Sequence, residues 1–157
     1  MTTEQQPLTV NIPLDSTRTV IALIADGTLA HVRLKNISQS ERDGNPILKW
    51  EMTLIDPVPT DDGHEARAGF PIFINFDVSK EFLMQKMARF VDGFLGTGDA
   101  NNRKGKPPRP AFNADTVSRM LGAEGYAKVT IRKGANDFVA NDVTAIIHPA
   151  DMAASAA

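Results

Sequence analysis

The sequence predicts an α+β fold, mainly β, in which one helix interrupts an antiparallel sheet. Two observations lead to this prediction. Several segments alternate apolar and polar residues with a period of two, which is typical of half-buried strands. A segment beginning near residue 80 instead repeats its apolar residues at helical spacing. The 157 residues are 42% hydrophobic and 23% charged, which suits one globular domain with a packed core.

The first two predicted strands form a hairpin. TLAHVRLKNI has an apolar face of Ala30, Val32 and Leu34, so the intervening residues face the other way. A loop from Ser38 to Pro46, centred on Asp43-Gly44, turns the chain. The return strand ILKWEMTLID has an apolar face of Leu48, Trp50, Met52 and Leu54. We therefore predict that Trp50 lies in the core, because large aromatic residues are buried on average.

A third strand and a helix follow the acidic connection DPVPTDDGHEARAG. FPIFINF alternates again, and Pro71 within it favours an edge strand or the start of a strand. Ser79 is a candidate N-cap for the helix. The apolar stripe of this helix consists of Phe82, Leu83, Met87, Phe90, Val91, Phe94 and Leu95, and GTG at 96–98 ends it.

The second half of the chain predicts a short helix and another hairpin. Asn113 can cap the helix ADTVSRML, and Gly122 lies just past its end. YAKVTIRK alternates with a period of two, and residues 138–148 return as the last strand. Five antiparallel strands with a helix between the third and the fourth are the layout of an OB-like, partly open β-barrel.

The composition excludes several classes of protein. Because the chain has no cysteine, it has no disulfide, thiolate metal site or cysteine nucleophile. No apolar run approaches the roughly 20 residues that a transmembrane helix needs, so we expect no membrane contact. MTTEQQPLTV lacks the features of a signal peptide, and we expect a cytoplasmic protein, in the host cytoplasm if it is viral.

No pattern in the sequence indicates catalysis. The chain contains neither GxxxxGK[ST] nor GxSxG, and its three histidines are widely spread without an evident catalytic partner. DDGHE at 61–65 gathers oxygen and nitrogen donors that could bind a divalent metal. Its spacing matches no EF-hand or zinc-protease motif, and an acidic loop explains it more simply. We therefore expect no enzyme activity, no cofactor and no metal site.

The outward face of the predicted sheet is basic. Its five cations are Arg33, Lys35, Lys49, Lys128 and Arg132. Glu51 is the one acid on this face of the predicted strands, and Tyr126 and Phe73 also face outward. Lysine and arginine neutralise phosphates, and aromatic rings provide surfaces on which bases stack, so this combination suits single-stranded nucleic acid. The alternative is a solvated face whose charges keep the protein soluble.

A second group of cations lies in the loop NNRKGKPPRP. Arg103, Lys104, Lys106 and Arg109 would be held on an arm that the prolines stiffen. The arm could close over a strand of DNA lying on the sheet, although an ordinary surface loop explains it equally well. Five cations on the face and four on the loop make nine of the 17 lysines and arginines, while the net charge is −2.

Residues 27–149 resemble a group of small bacteriophage proteins that bind single-stranded DNA or assist recombination. The resemblance is carried by GTLAHVRLKNI, SERDGNPILKWEMTLID, FPIFINF, FVDGFLGTG and KVTIRKGANDFVANDVTAIIHP. Gly44-Asn45-Pro46 and Ile147-His148-Pro149 occupy the recurring turn and the end of the final hairpin. The resemblance implies an OB-like fold and binding of single-stranded DNA, without catalysis, in replication or recombination.

The domain organisation that follows has three parts. A loose N-terminal segment covers 1–18, an OB-like nucleic-acid-binding domain covers 19–149, and a flexible tail covers 150–157. The pattern does not separate DNA from RNA. The alternative function is that of a virion structural or assembly protein, which would use unpaired sheet edges for protein contacts. Such edges would also permit a homo-oligomer.

Overall fold

The computed structural model describes residue 9 and residues 23–98, 105–134 and 139–155, with the backbone alone at 153–155. These residues contain seven strands and three helices. The strands are β1 (Thr28–Arg42), β2 (Asn45–Leu54), β3 (Val58–Pro59), β4 (Glu65–Ala66), β5 (Pro71–Asp77), β6 (Glu124–Lys133) and β7 (Val139–Ile147). The helices are α1 (Glu81–Leu95), α2 (Ala114–Met120) and α3 (Pro149–Ser155). The predicted α+β class with a mainly β content is confirmed.

The main sheet is antiparallel and open, with the strand order β5-β2-β1-β6-β7. β1, β2 and β5 are the first three strands of this sheet in chain order and lie side by side, whereas the fourth, β6, returns beside β1, which makes a Greek key. α1 and α2 follow β5 and precede β6 in the chain. β3 and β4 form a separate two-stranded ribbon. None of the helices in the described part of the chain is long and apolar enough to span a membrane.

The turn between β1 and β2 is the tight hairpin that the sequence predicts. Asp43 and Gly44 have φ values of 53° and 81°, and they join the paired residues Arg42 and Asn45. Two central residues with positive φ are typical of the hairpin turn whose twist matches the strands. β1 and β2 extend further toward the turn than predicted. Residues 38–42 have no apolar face that would indicate a strand, but they pair regularly with β2.

The core lies between one face of the sheet and α1. Trp50 is fully buried, which confirms its predicted core position. Its indole packs against four phenylalanine rings, with centroid distances of 5.5 to 6.2 Å, and two of them, Phe90 and Phe94, come from α1. The indole Nε1 has no hydrogen-bond partner in the described part of the chain. Packing rather than polar contact therefore holds this side chain.

The helix α1 lies very close to β7. A Cβ added at Gly93 would be only 2.3 Å from the carbonyl oxygen of Ile146, so no larger residue fits without a shift. Lys86 of α1 also reaches Asp142 of β7, with an N–O distance of 3.2 Å. This contact places α1 against the inner face of the sheet, away from the cations described below.

The start of α1 differs from the prediction by one residue. Lys80 rather than Ser79 occupies the cap position, and it makes no side-chain capping bond. The hydroxyl of Ser79 instead donates to Asp77 at 2.6 Å. This hydrogen bond, together with one from the Ser79 amide, lowers the pKa of the Asp77 carboxyl. The predicted Asn113 cap of α2 is confirmed, because its side chain accepts from the Thr116 amide.

The C-terminal segment forms a helix where the sequence predicted a flexible tail from residue 150. α3 begins at Pro149, whose fixed φ suits the first helical position. The Ala150 amide donates to Nδ1 of His148 at 3.2 Å, and the alanines that follow are strong helix formers. Apart from residue 9, the predicted loose segment at 1–18 lies outside the described residues.

Candidate nucleic-acid interface

The side of the main sheet opposite α1 is called the outer face here. Its side chains alternate with buried core residues along each strand, as Arg33 does between the buried Val32 and Leu34. The outer face comprises Leu29, His31, Arg33 and Lys35 of β1, Lys49, Glu51 and Thr53 of β2, Phe73 and Asn75 of β5, and Glu124, Tyr126 and Lys128 of β6. Four of the five predicted strand cations therefore share one surface on three neighbouring strands.

Lys35 lies on the outer face, as its alternation with Leu34 predicts, and it lies at a β-bulge. Leu34 pairs with Met52 and Asn36 pairs with Glu51, so Lys35 is the extra residue of β1. Its Nζ lies 3.4 Å from the Glu51 carboxylate, and its side chain stays 64% exposed. The bulge also reverses the alternation of β1, because Ile37 beyond it pairs with the inward-facing Trp50.

Lys49 and Phe73 form a cation–aromatic pair on adjacent strands. The Lys49 Nζ lies 4.4 Å from the centre of the Phe73 ring. The Phe73 residue is 44% exposed, an unusual amount for a phenylalanine in a sheet. The pair brings together, on the β2–β5 part of the outer face, a charge that can neutralise a phosphate and a ring that can stack on a base.

The Tyr126 ring is less accessible to a base than the sequence predicts. Its ring stacks on the His31 imidazole, with a centroid distance of 4.6 Å and an interplanar angle of 8°. The His31 Nε2 lies 2.8 Å from Glu124, and its Nδ1 lies 3.3 Å from Asp56. One face of the tyrosine ring is therefore covered, and only the other face could accept a base.

Sequence reasoning missed the roles of His31 and Glu124 in this cluster. The alternation of β1 already placed His31 outward, so its contact with Tyr126 on the neighbouring strand needed only the strand order. Glu124 precedes the alternating segment YAKVTIRK, so the alternation did not include it. It is a second acid on the outer face beside Glu51.

The ion pairs of the outer face are weak enough to exchange for phosphates. Arg33 lies 3.5 Å from Glu124, and the two side chains are 52% and 43% exposed. Lys35 and Glu51 are 3.4 Å apart. Exposed pairs of this kind contribute only about 0–1 kcal/mol, because water and salt screen them. A polyanion that offers several phosphates can therefore compete for these cations.

Arg132 lies at the margin of the outer face, where the two edges of the open sheet approach each other. It is exposed, and it pairs with Ala140 across β6 and β7. Together with Phe73 of β5, it lines a pocket of about 230 Å³ between β5 and β7. The pocket extends the basic and aromatic character of the outer face around the edge of the sheet.

The described cations of the 103–109 loop do not lie on the outer face. Arg109 binds Asp92 of α1 through two hydrogen bonds of 2.9 and 2.5 Å, and Lys106 binds Asp151 of α3. Asp92 belongs to the side of α1 that faces away from the core. Residues 105–109 are therefore held on the helical side of the molecule rather than over the sheet. Arg103 and Lys104 lie outside the described residues.

The acidic segment DDGHE has structural contacts. Asp62 accepts hydrogen bonds from the Thr60 hydroxyl and from the His64 amide, which close the turn between β3 and β4. Asp61 accepts from the Leu23 amide at 3.2 Å. Within residues 23–98, 105–134 and 139–155, no group of three or more histidine or acidic side chains is placed to hold a metal ion.

Comparisons with known proteins assign the chain to no family. No protein-family model matches the chain, and no curated protein is significantly similar to it. The geometry of the outer face therefore carries the functional argument.

Proposed function

We propose that the protein binds single-stranded DNA on the outer face of its sheet, without catalysis, during phage-type replication or recombination. The observation that carries this proposal is the adjacency of Lys35, Lys49 and Phe73. Two cations and an exposed ring lie on three neighbouring strands, β1, β2 and β5. The lysines would neutralise phosphates and release counterions, while a base would stack on the ring.

The topology supports an OB-like interpretation of the fold. OB-folds are five-stranded, partly open Greek-key barrels that bind oligonucleotides on the face of their second and third strands. The main sheet here has five strands and a Greek-key order, and β2 and β5 are its second and third strands in the chain. Lys49 and Phe73 lie on these two strands.

The binding mode follows from which groups face outward. Phosphate contacts from Lys35, Lys49 and Lys128 would carry no sequence information, and stacking on Phe73 accepts any base because every base has a π-face. We therefore expect little sequence preference. Duplex DNA should bind more weakly, because its bases are already stacked and paired and cannot reach the ring.

A salt titration tests this function. A fluorescein-labelled oligo-dT should bind at about 50 mM salt and lose much of its affinity at about 200 mM, because each displaced counterion adds to the salt dependence. Fluorescence anisotropy measures both affinities, and a duplex of equal length serves as the comparison. Absence of binding at low salt would rule out the proposed function.

The fluorescence of Trp50 should change little when DNA binds. The indole is fully buried on the inner side of the sheet, and the outer face is on the other side of the same strand. Trp50 is also the only tryptophan of the chain, so the emission reports on this position alone. Titration with unlabelled oligo-dT checks the prediction, and strong quenching would place the DNA on the opposite side of the sheet.

An assembly role is the second candidate, and the edge of β1 favours it. β6 pairs with β1 only from Thr28 to Arg33, so residues 36–42 pair with β2 alone among the described strands. Free backbone groups along such an edge can pair with a strand of another chain. Size-exclusion chromatography with and without oligonucleotide distinguishes the two functions. An assembly protein would elute as a large oligomer by itself, and added oligonucleotide would not bind to it.

A further inference from the structure

The pocket between β5 and β7 has the chemical character of a site for a flat, partly polar ring. Ile74 and the half-buried Leu83 provide apolar surface within it. Phe73 also lines the pocket, whereas Lys49, whose Nζ lies over the Phe73 ring, does not. Most of the other residues that line the pocket are polar or charged. Ligand sites combine apolar and aromatic surface with convergent polar groups of this kind.

Some polar groups of the pocket have hydrogen-bonding atoms that a ligand could use. Asp142 uses Oδ1 to accept from Lys86 and from the Val143 amide, at 3.2 and 3.0 Å. Its Oδ2 has no partner within the described residues, and neither does the exposed amide of Asn75. Arg132 adds an exposed positive charge to the same pocket.

We propose that this pocket takes one nucleobase of the bound strand. The inference rests on the proposed function and adds to it a defined subsite. The base leaves the run of bases on the outer face, turns around the β5 edge and stacks on the face of Phe73 that lines the pocket. Asn75 and Asp142 then meet its polar edge, and Arg132 meets the adjoining phosphate. Single strands allow this because their bases are free to splay out and stack on aromatic side chains.

The test uses the shortest oligo-dT that retains full affinity, so that the strand binds in one register. A series of such oligonucleotides carries one abasic site at successive positions. The wild-type protein should lose affinity at one position by about 5- to 150-fold, the range expected when one stacked base is removed. The other positions should show smaller losses.

Two variants connect that position to the pocket. Ala140→Phe fills the pocket from the β7 side and leaves Phe73 in place, and Phe73→Ala removes the stacking wall. In both variants the loss at the special position should disappear. Phe82→Ala is the matched control, because Phe82 is 66% exposed on α1 and does not line the pocket. This control should behave like the wild type, and circular dichroism verifies that every variant is folded.

The possible outcomes of this experiment test the subsite and the proposed function separately. Equal losses at all abasic positions, or a special position that persists in Ala140→Phe, would show that bases stack only on the open surface and would overturn the inference while leaving DNA binding intact. If the wild-type protein does not bind oligo-dT at all, the proposed function fails and the subsite fails with it.

Discussion

Replacement of Lys35 and Lys49 together by glutamine is expected to weaken binding of oligo-dT by at least about tenfold at low salt. Lys49 lies over the Phe73 ring and Lys35 lies on the neighbouring strand β1, so the phosphates of a strand bound across the outer face would pass both. The slope of log affinity against log salt should also become shallower, by about 0.7 for each phosphate that the protein no longer neutralises. Anisotropy titrations at several salt concentrations give both quantities.

The control for this double variant is Arg89→Gln. Arg89 is exposed on the side of α1 that faces away from the core, so its loss changes the net charge without touching the outer face. It should alter the affinity and the salt slope only slightly. If Arg89→Gln weakened binding as much per charge as the lysine variants, overall charge rather than the outer face would explain the affinity.

Trp50→Ala is expected to lower the free energy of unfolding by about 3–5 kcal/mol, the range for removal of a large buried aromatic side chain. The indole is fully buried and joins β2 to α1 through Phe90 and Phe94. Its loss would leave a cavity where the sheet meets the helix. Urea denaturation followed by circular dichroism measures the change.

Trp50→Phe should cost much less than Trp50→Ala. It keeps an aromatic ring among the neighbouring phenylalanines, and it removes an indole N–H that has no partner within the described residues. An unsatisfied buried polar group costs about 1–3 kcal/mol, so its removal offsets part of the reduced packing. If the two variants were equally destabilised, aromatic packing would not explain how Trp50 contributes to the free energy of unfolding.

The sequence predicted the strands well because their periodicity is a local property. The period of two in β1, β2, β5 and β6 follows from which side chains are buried, and the buried Trp50 and the outward Phe73 follow from the same pattern. The turn at Asp43-Gly44 was predictable because both residues tolerate the positive φ that a tight hairpin requires.

The contacts between distant segments could not be predicted in this way. Nothing near Arg109 in the sequence indicates that Asp92 would bind it from α1, so the sequence leaves open whether the loop closes over the sheet or is an ordinary surface loop. The partnership of His31 with Glu124 depends on β6 returning beside β1. The bulge at Lys35 is likewise set by strand pairing and cannot be read from alternation alone.

The most direct test of the outer face as the DNA site is an NMR titration of ¹⁵N-labelled protein with oligo-dT. We predict the largest amide shift changes at Lys35, Lys49 and Phe73, with little change at Arg89 and Lys106 on the helical side. Changes concentrated on α1 and on residues 105–109, with the β2 and β5 amides unmoved, would contradict the account.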